Sequence, residues 1–274
     1  MAVTIAEITK LRKLSGAGMM DCKKALEESN SDIEKAMEII RKKGQAVAAK
    51  RSDREASEGC VLVKAENGFG AIIALKCETD FVAKNEDFVK LNQQIIDAAV
   101  AAKAKSLDEI KGLMLGNETV ADAIIARSGI TGEKMELDGY SYIESDNIST
   151  YDHQGKHMLC TMVALNKAVD PQYGHAVAMQ IAAMNPISIN KDDVPEDVRQ
   201  REFEIAADKA RQEGKPEAMI ERIAEGRMQK FYKENCLLNQ EFIQDGSLSV
   251  ADYLKKADKD CTVTAFKRFT LRAE

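Results

Sequence analysis

The sequence predicts an α+β protein, on three observations. Residues 1–44 carry three amphipathic helical patterns in close succession. Further on, strand-like runs followed by an amphipathic helix occur twice, the grammar of hairpin-and-helix lobes. Residues 193–235 instead form a highly charged helical pair with a thin apolar seam. The expected layout is a three-helix module at 1–54 and a two-lobed body at 55–140 and 141–274. The second lobe is interrupted by a projecting antiparallel helical hairpin at 193–235.

Thr4-Ile5-Ala6-Glu7 has the capping-box pattern, and Ile5, Ile8 and Leu11 follow on one face. Ser15-Gly16-Ala17-Gly18 breaks that helix. A second helix is expected from about Met19 to Ser29, with Met19, Cys22 and Leu26 aligned. Met19 and Met20 cannot both face one core, so one of them is expected to project. A projecting thioether suits a protein-contact surface; the alternative is a flexible core filler. Ser31-Asp32-Ile33-Glu34 opens a third helix, which Lys42-Lys43-Gly44 is expected to close with basic residues and a glycine stop.

After a charged linker near 50–58, Asn67-Gly68 between two strand-like runs predicts a β-hairpin. The second run, Ala71 to Leu75, leads into Cys77-Glu78-Thr79-Asp80-Phe81-Val82-Ala83-Lys84-Asn85, a strand-to-helix corner. From the residues alone, Thr79 or Asp80 caps a helical turn and Phe81 packs beneath it, the ordinary reading of such a corner. The spacing of Phe88, Leu91, Ile95 and Ala99 predicts a helix to about Ala104. Ser106 and Thr119 open two shorter helices.

Met135 to Ile143 and Met158 to Leu165 read as strands, joined by a loop containing Tyr151-Asp152-His153-Gln154-Gly155. A helix from about Tyr173 is stopped by Asn185-Pro186. The charged pair reverses at Gly214-Lys215-Pro216. Beyond it, Leu237 to Ile243 and Thr262 to Leu271 read as strands around a short helix at Tyr253-Leu254.

Composition narrows the function classes. The chain has 274 residues, 45% hydrophobic and 31% charged, with no apolar run of membrane-spanning length and no secretory pattern at its start. A cytoplasmic, membrane-free protein is expected. Six scattered cysteines form no C-x-x-C pair, so neither a zinc site nor a disulfide framework is indicated. Net charge is −6, divided into +4 over residues 1–54 and −10 over the rest. A basic module on an acidic body suits a protein partner as readily as a nucleic acid.

Reactive constellations are missing from the sequence. There is no G-x-x-x-x-G-K-S/T loop, and His153 and His157 straddle a loop containing Gly155 rather than a helix face. With no tryptophan and 5% aromatic residues, base-stacking platforms are not expected. No cofactor, metal or chemical catalysis is expected.

Thr79-Asp80-Phe81-Val82-Ala83-Lys84-Asn85 resembles the signature of the elongation factor Ts family, whose members make elongation factor Tu release GDP. Gly16 to Leu26, Gly214-Lys215-Pro216, Glu225-Gly226-Arg227-Met228, Phe231-Tyr232-Lys233-Glu234, Leu237 to Phe242 and Ala265 to Phe269 resemble it too. The resemblance implies that the first module has a fold like the ubiquitin-associated domain and docks on the partner's nucleotide domain through Met19 and Met20. It implies that Asp80 and Phe81 form a wedge that displaces the surroundings of the GDP-bound magnesium, with Thr79 and Val82 as neighbouring partner contacts. The Phe81 ring is then expected to be partly exposed in the free protein. Gly132 and His153 are implied as loop contacts.

Two departures are visible. The family commonly has an Ile-Gly-Glu-Asn loop, for which Thr131-Gly132-Glu133-Lys134 is the best counterpart. Some members carry a helical module after the last strand, and the sequence to Glu274 offers no counterpart, so its contacts are not expected. Rival expectations are a nucleic-acid-associated factor using the basic module, and an adaptor working through 193–235. Self-association through that hairpin stays open.

Overall fold

The computed structural model describes residues 3–271 and is mixed α and β. The chain divides into two compact units: residues up to Lys64, Ala71–Ser141 and Thr270 onward, and Ala65–Gly70 with Tyr142–Phe269.

The first unit opens with helices α1 (Ile5–Ser15), α2 (Met19–Glu28) and α3 (Ile33–Lys50). The capping box at α1 is formed: Glu7 N donates to Thr4 Oγ1 at 3.2 Å and Thr4 N donates to Glu7 Oε2 at 2.8 Å. Gly16, at φ 69°, closes α1 in the left-handed region that its missing Cβ makes accessible. Ile8, Leu11, Cys22, Ala25, Leu26 and Ala36 make a small core between the three helices, with Ile130 packed against it.

Gly44 does not stop α3, which runs on to Lys50. Its role is packing at a distance. Gly44 meets Gly129 of α7 (Val120–Thr131), and a Cβ on Gly129 would lie 2.3 Å from Gly44 Cα. Two glycines let the helix backbones touch, so the helix continues through a residue that locally reads as a terminator. Arg41 Nη2 donates to Asp122 Oδ1 at 2.7 Å along the same face.

Strands β1 (Glu58–Glu66) and β2 (Phe69–Cys77) form the expected hairpin, with Asn67 at φ 50° and Gly68 at φ 76° in the turn. β2 is the middle strand of a sheet ordered β1-β2-β5, where β5 is Met135–Glu144. Buried on both faces, β2 is almost continuously apolar. The short α4 (Asp80–Ala83) follows, then α5 (Glu86–Ala102), which buries Phe88, Leu91, Ile95, Ile96, Ala99 and Val100. Between α5 and α7 lie α6 (Leu107–Gly112) and a two-residue ribbon, β3 (Met114–Leu115) with β4 (Glu118–Thr119).

The second unit contains a strand that the sequence reading assigns to a loop. β6 (Ile148–Asp152) pairs antiparallel with β7 (Leu159–Leu165), Tyr151 opposite Thr161, in a sheet ordered β10-β7-β6 with β10 at Val263–Thr270. β6 is half-buried throughout and lacks apolar alternation, so only its pairing defines it. Helix α8 (Pro171–Met184) packs closely on this sheet. A Cβ on Gly174 would lie 2.0 Å from Ser149 Oγ, and Thr161 Oγ1 donates to Ala178 O at 2.8 Å.

Leu237 to Ile243 is not a continuous strand but a 3-10 turn followed by β8 (Glu241–Phe242). Buried Gln180 takes up its backbone groups: Ile243 N donates to Gln180 Oε1 at 2.8 Å, and Gln180 Nε2 donates to Glu241 O at 3.1 Å. β9 (Asp245–Ser249) pairs with β8, and α11 (Val250–Lys255) completes the core with Val250 and Leu254.

Helices α9 (Glu196–Gln212) and α10 (Glu217–Asn235) form the antiparallel pair, reversing at Gly214 with φ 74°. Their seam is Ala206, Ala207, Ala210, Ile220 and Ala224, with Phe203 and Ile223 beside it. None of these residues belongs to the α8 core. Replacing residues 199–230 by a short flexible linker is therefore expected to leave one cooperative thermal transition for the second unit. Loss of that transition in calorimetry would contradict this reading.

Candidate functional site

The corner after β2 is built by two consecutive caps. Thr79 is extended, φ −126° and ψ 154°, and its Oγ1 accepts from Val82 N at 3.5 Å at the start of α4. Asn85 Oδ1 accepts from Asp87 N at 2.9 Å and starts α5. A four-residue helix has little cooperativity of its own, so such external hydrogen bonds hold its shape. Phe81 sits in that single turn and is 84% exposed. The ring points to solvent, as the wedge expectation requires, and not beneath the turn as residue patterning alone suggests.

Asp80 pairs with Lys84 one turn on, Nζ to Oδ2 at 2.6 Å. The Lys84 hydrogen bond holds the Asp80 carboxyl below its ordinary range. Both side chains are exposed and water screens the pair, so Asp80 can exchange its partner at little cost. Val82 is half-buried behind Phe81.

The Thr131–Lys134 segment lies against this corner. Gly132 caps α7 at φ 75°, and nothing lies within 4 Å of where its Cβ would be. The next residue turns inward. Glu133 Oε2 accepts Glu78 N and Thr79 N, both at 3.1 Å, and its Oε1 accepts the Thr79 hydroxyl at 2.6 Å. Glu78 in turn accepts Lys134 N at 2.6 Å and pairs with Arg51 at 2.9 Å. Sequence reasoning missed Glu133 and Arg51. The only available signal was the acidic residue in the family loop.

Cys77 donates its thiol to Thr79 O at 3.2 Å. Burial, and then the charge of Glu133, push that thiol up to about 12. Since only thiolates react readily, Cys77 is expected to escape alkylation by iodoacetamide at pH 8 in the folded protein and to label after denaturation. Labelling of native protein at Cys77, read by peptide mass spectrometry, would contradict the packed corner.

Met19 and Met20 both project, 50% and 63% exposed, where only one is expected to do so. They occupy the first turn of α2, whose buried face begins at Cys22. In the second unit, His153 follows β6 in a 3-10 turn with Gln154 and Gly155 at positive φ. The Tyr151 hydroxyl lies 3.1 Å from His153 Nδ1, and the Tyr151 ring meets both His153 and His175 edge-on. Asp152 holds His157, accepting its backbone N–H at 3.2 Å. Among the described residues, no group of three or more His, Cys, Asp or Glu is placed to hold a metal ion, and no helix is long and apolar enough to cross a membrane.

Residues 78–273, which include the corner and the 131–134 loop, match the family described as Elongation factor TS. The chain belongs to the elongation factor Ts family. Full-length similarity agrees with this. The chain is 54% identical to "Elongation factor Ts" of Phocaeicola vulgatus over 330 residues, covering all of both chains. It is 55% identical over 275 residues to that of Porphyromonas gingivalis, again covering all of both, and 52% identical to that of Bacteroides fragilis. Family membership places the chain in translation elongation and protein biosynthesis.

Proposed function

We propose that this chain is a guanine-nucleotide exchange factor for elongation factor Tu. It binds the GDP-filled partner, disturbs its magnesium and phosphate site, and leaves it empty for GTP. An exchange factor performs no bond chemistry; it needs surfaces that favour the empty partner over the filled one. Coupling is reciprocal, so whatever weakens GDP when the factor binds must weaken the factor when GDP binds. Magnesium demands near-octahedral geometry, so a small displacement of its surroundings lowers GDP affinity.

The observation that carries this reading is Phe81, a large apolar ring held 84% exposed on a doubly capped turn beside a carboxylate. Exposed aromatics of this kind supply buried area when they enter a partner. In this account Asp80 and Phe81 are the wedge, with Thr79 and Val82 shaping it. Met19 and Met20 dock the first module, and Gly132 and His153 are loop contacts. The acting form of the partner is the GDP-bound one and the product is nucleotide-free.

The test is release of fluorescent GDP from elongation factor Tu titrated with this chain. Acceleration that saturates is expected. Met19→Ala with Met20→Ala is expected to raise the half-saturating concentration about tenfold while sparing the maximal rate, as loss of docking area does. No acceleration by the wild-type chain would remove the proposal.

A further inference from the structure

We infer that Glu133 is a positioning residue for exchange: its carboxylate clamps the entrance of α4 and thereby fixes the direction in which Phe81 points. This rests on the proposed wedge and names what aims it.

The argument starts from what α4 lacks. Four helical residues close only one turn, far below the length at which a helix sustains itself. The Phe81 ring is exposed, so packing does not hold it either. Its direction depends on the backbone at Glu78–Asp80. There one carboxylate takes three hydrogen bonds, from two consecutive backbone N–H groups and one hydroxyl. Charge-assisted bonds of this kind are about twice as strong as neutral ones.

The third bond also sets the cap. With its proton committed to Glu133 Oε1, the Thr79 hydroxyl presents a lone pair to Val82 N, the first-turn donor just beyond Phe81. Glu133 is itself fixed: Ser128 Oγ donates to its carbonyl, and Thr131 Oγ1 accepts its N–H at 3.3 Å. The clamp therefore runs from the end of α7 to the start of α4, across 54 residues of sequence. Gly132, the neighbouring loop contact, stands on the same short loop, so one side chain sets the spacing of two partner-facing elements.

Glu133→Ala is expected to lower the maximal GDP-release rate about tenfold at saturating factor while changing half-saturation less than twofold, because Met19 and Met20 still dock. In a Phe81→Ala background the same substitution is expected to change the maximal rate less than twofold, since the ring it aims is gone. An equal loss in both backgrounds, or no loss in the first, would overturn the assignment.

A second readout needs no partner. The chain has no tryptophan, so Phe81→Trp places a single indole at the tip. Time-resolved anisotropy of Phe81→Trp is expected to gain a fast component when Glu133→Ala is added. Glu133→Gln, which keeps an acceptor for the two N–H groups, is expected to restore most of the slow decay and serves if Glu133→Ala fails to fold. Anisotropy unchanged by either substitution would overturn the clamp. Wild-type exchange by Phe81→Ala would instead remove the wedge, leaving the anisotropy arm to decide the clamp alone.

Discussion

Phe81→Ala is expected to abolish most exchange activity while leaving the protein's own stability almost untouched. The two halves of that expectation have one cause. A core Phe→Ala change costs about 3–5 kcal/mol, through lost burial and a cavity. Phe81 is 84% exposed, so neither loss applies, and the change in unfolding free energy should stay within about 0.5 kcal/mol. Ala is also a better helix former than Phe in the short turn of α4. In the complex, the ring is the largest apolar group that the corner offers. Central aromatic anchors are worth on the order of 2 kcal/mol or more, which corresponds to a roughly 30-fold slower maximal release. Thermal unfolding and fluorescent GDP release on the same sample check both halves. A melting temperature lowered by ten degrees, or release at the wild-type rate, would contradict the description of the corner.

Gly129→Ala is expected to be strongly destabilising, although it is among the smallest substitutions available. Its Cβ would lie 2.3 Å from Gly44 Cα and 3.1 Å from Gly44 N, and both are backbone atoms that cannot rotate away. α3 has to shift from α7, which costs about 1–3 kcal/mol for overpacking of this kind. The shift also moves the three-helix segment that carries Met19 and Met20, so half-saturation of exchange should rise as well. Gly226→Ala is the control. It adds the same methyl inside α10 with nothing within 4 Å, and should stabilise by about 0.5–1 kcal/mol through helix propensity. Denaturant midpoints of the two variants should therefore move in opposite directions. A Gly129→Ala midpoint equal to wild type would mean that the α3–α7 contact is not close.

The contrast between these glycines explains what was legible in the sequence. Local signals are readable wherever the partner atoms lie within a few residues: the Thr4–Glu7 box, the Asn67-Gly68 turn and the cap at Thr79. Gly44 follows two lysines and so carries every local mark of a helix end, yet its reason is Gly129, 85 residues away. β6 was missed because Ser149 and Thr150 break any apolar alternation, and only β7 makes the segment a strand. Leu237–Ile243 reads as one strand from its apolar residues, but only Glu241–Phe242 pairs as one. The Gln180 side-chain amide, out of reach of local patterning, takes up Glu241 O and Ile243 N. At the site, family resemblance located Phe81 and Asp80, but local residue patterning put the ring on the wrong side of its turn. Glu133 was invisible to local reasoning, since its three donors are 54 and 55 residues upstream.

The most direct measurement is the maximal rate of fluorescent GDP release from elongation factor Tu at saturating factor, for wild type and Phe81→Ala, each with and without a magnesium chelator. If Phe81 acts by displacing the surroundings of the metal, chelation removes the term on which the ring works. The two perturbations are then non-additive. The roughly 30-fold gap between wild type and Phe81→Ala should shrink to about threefold or less once magnesium is gone. A gap that stays undiminished after chelation would show that Phe81 works on something other than the metal site.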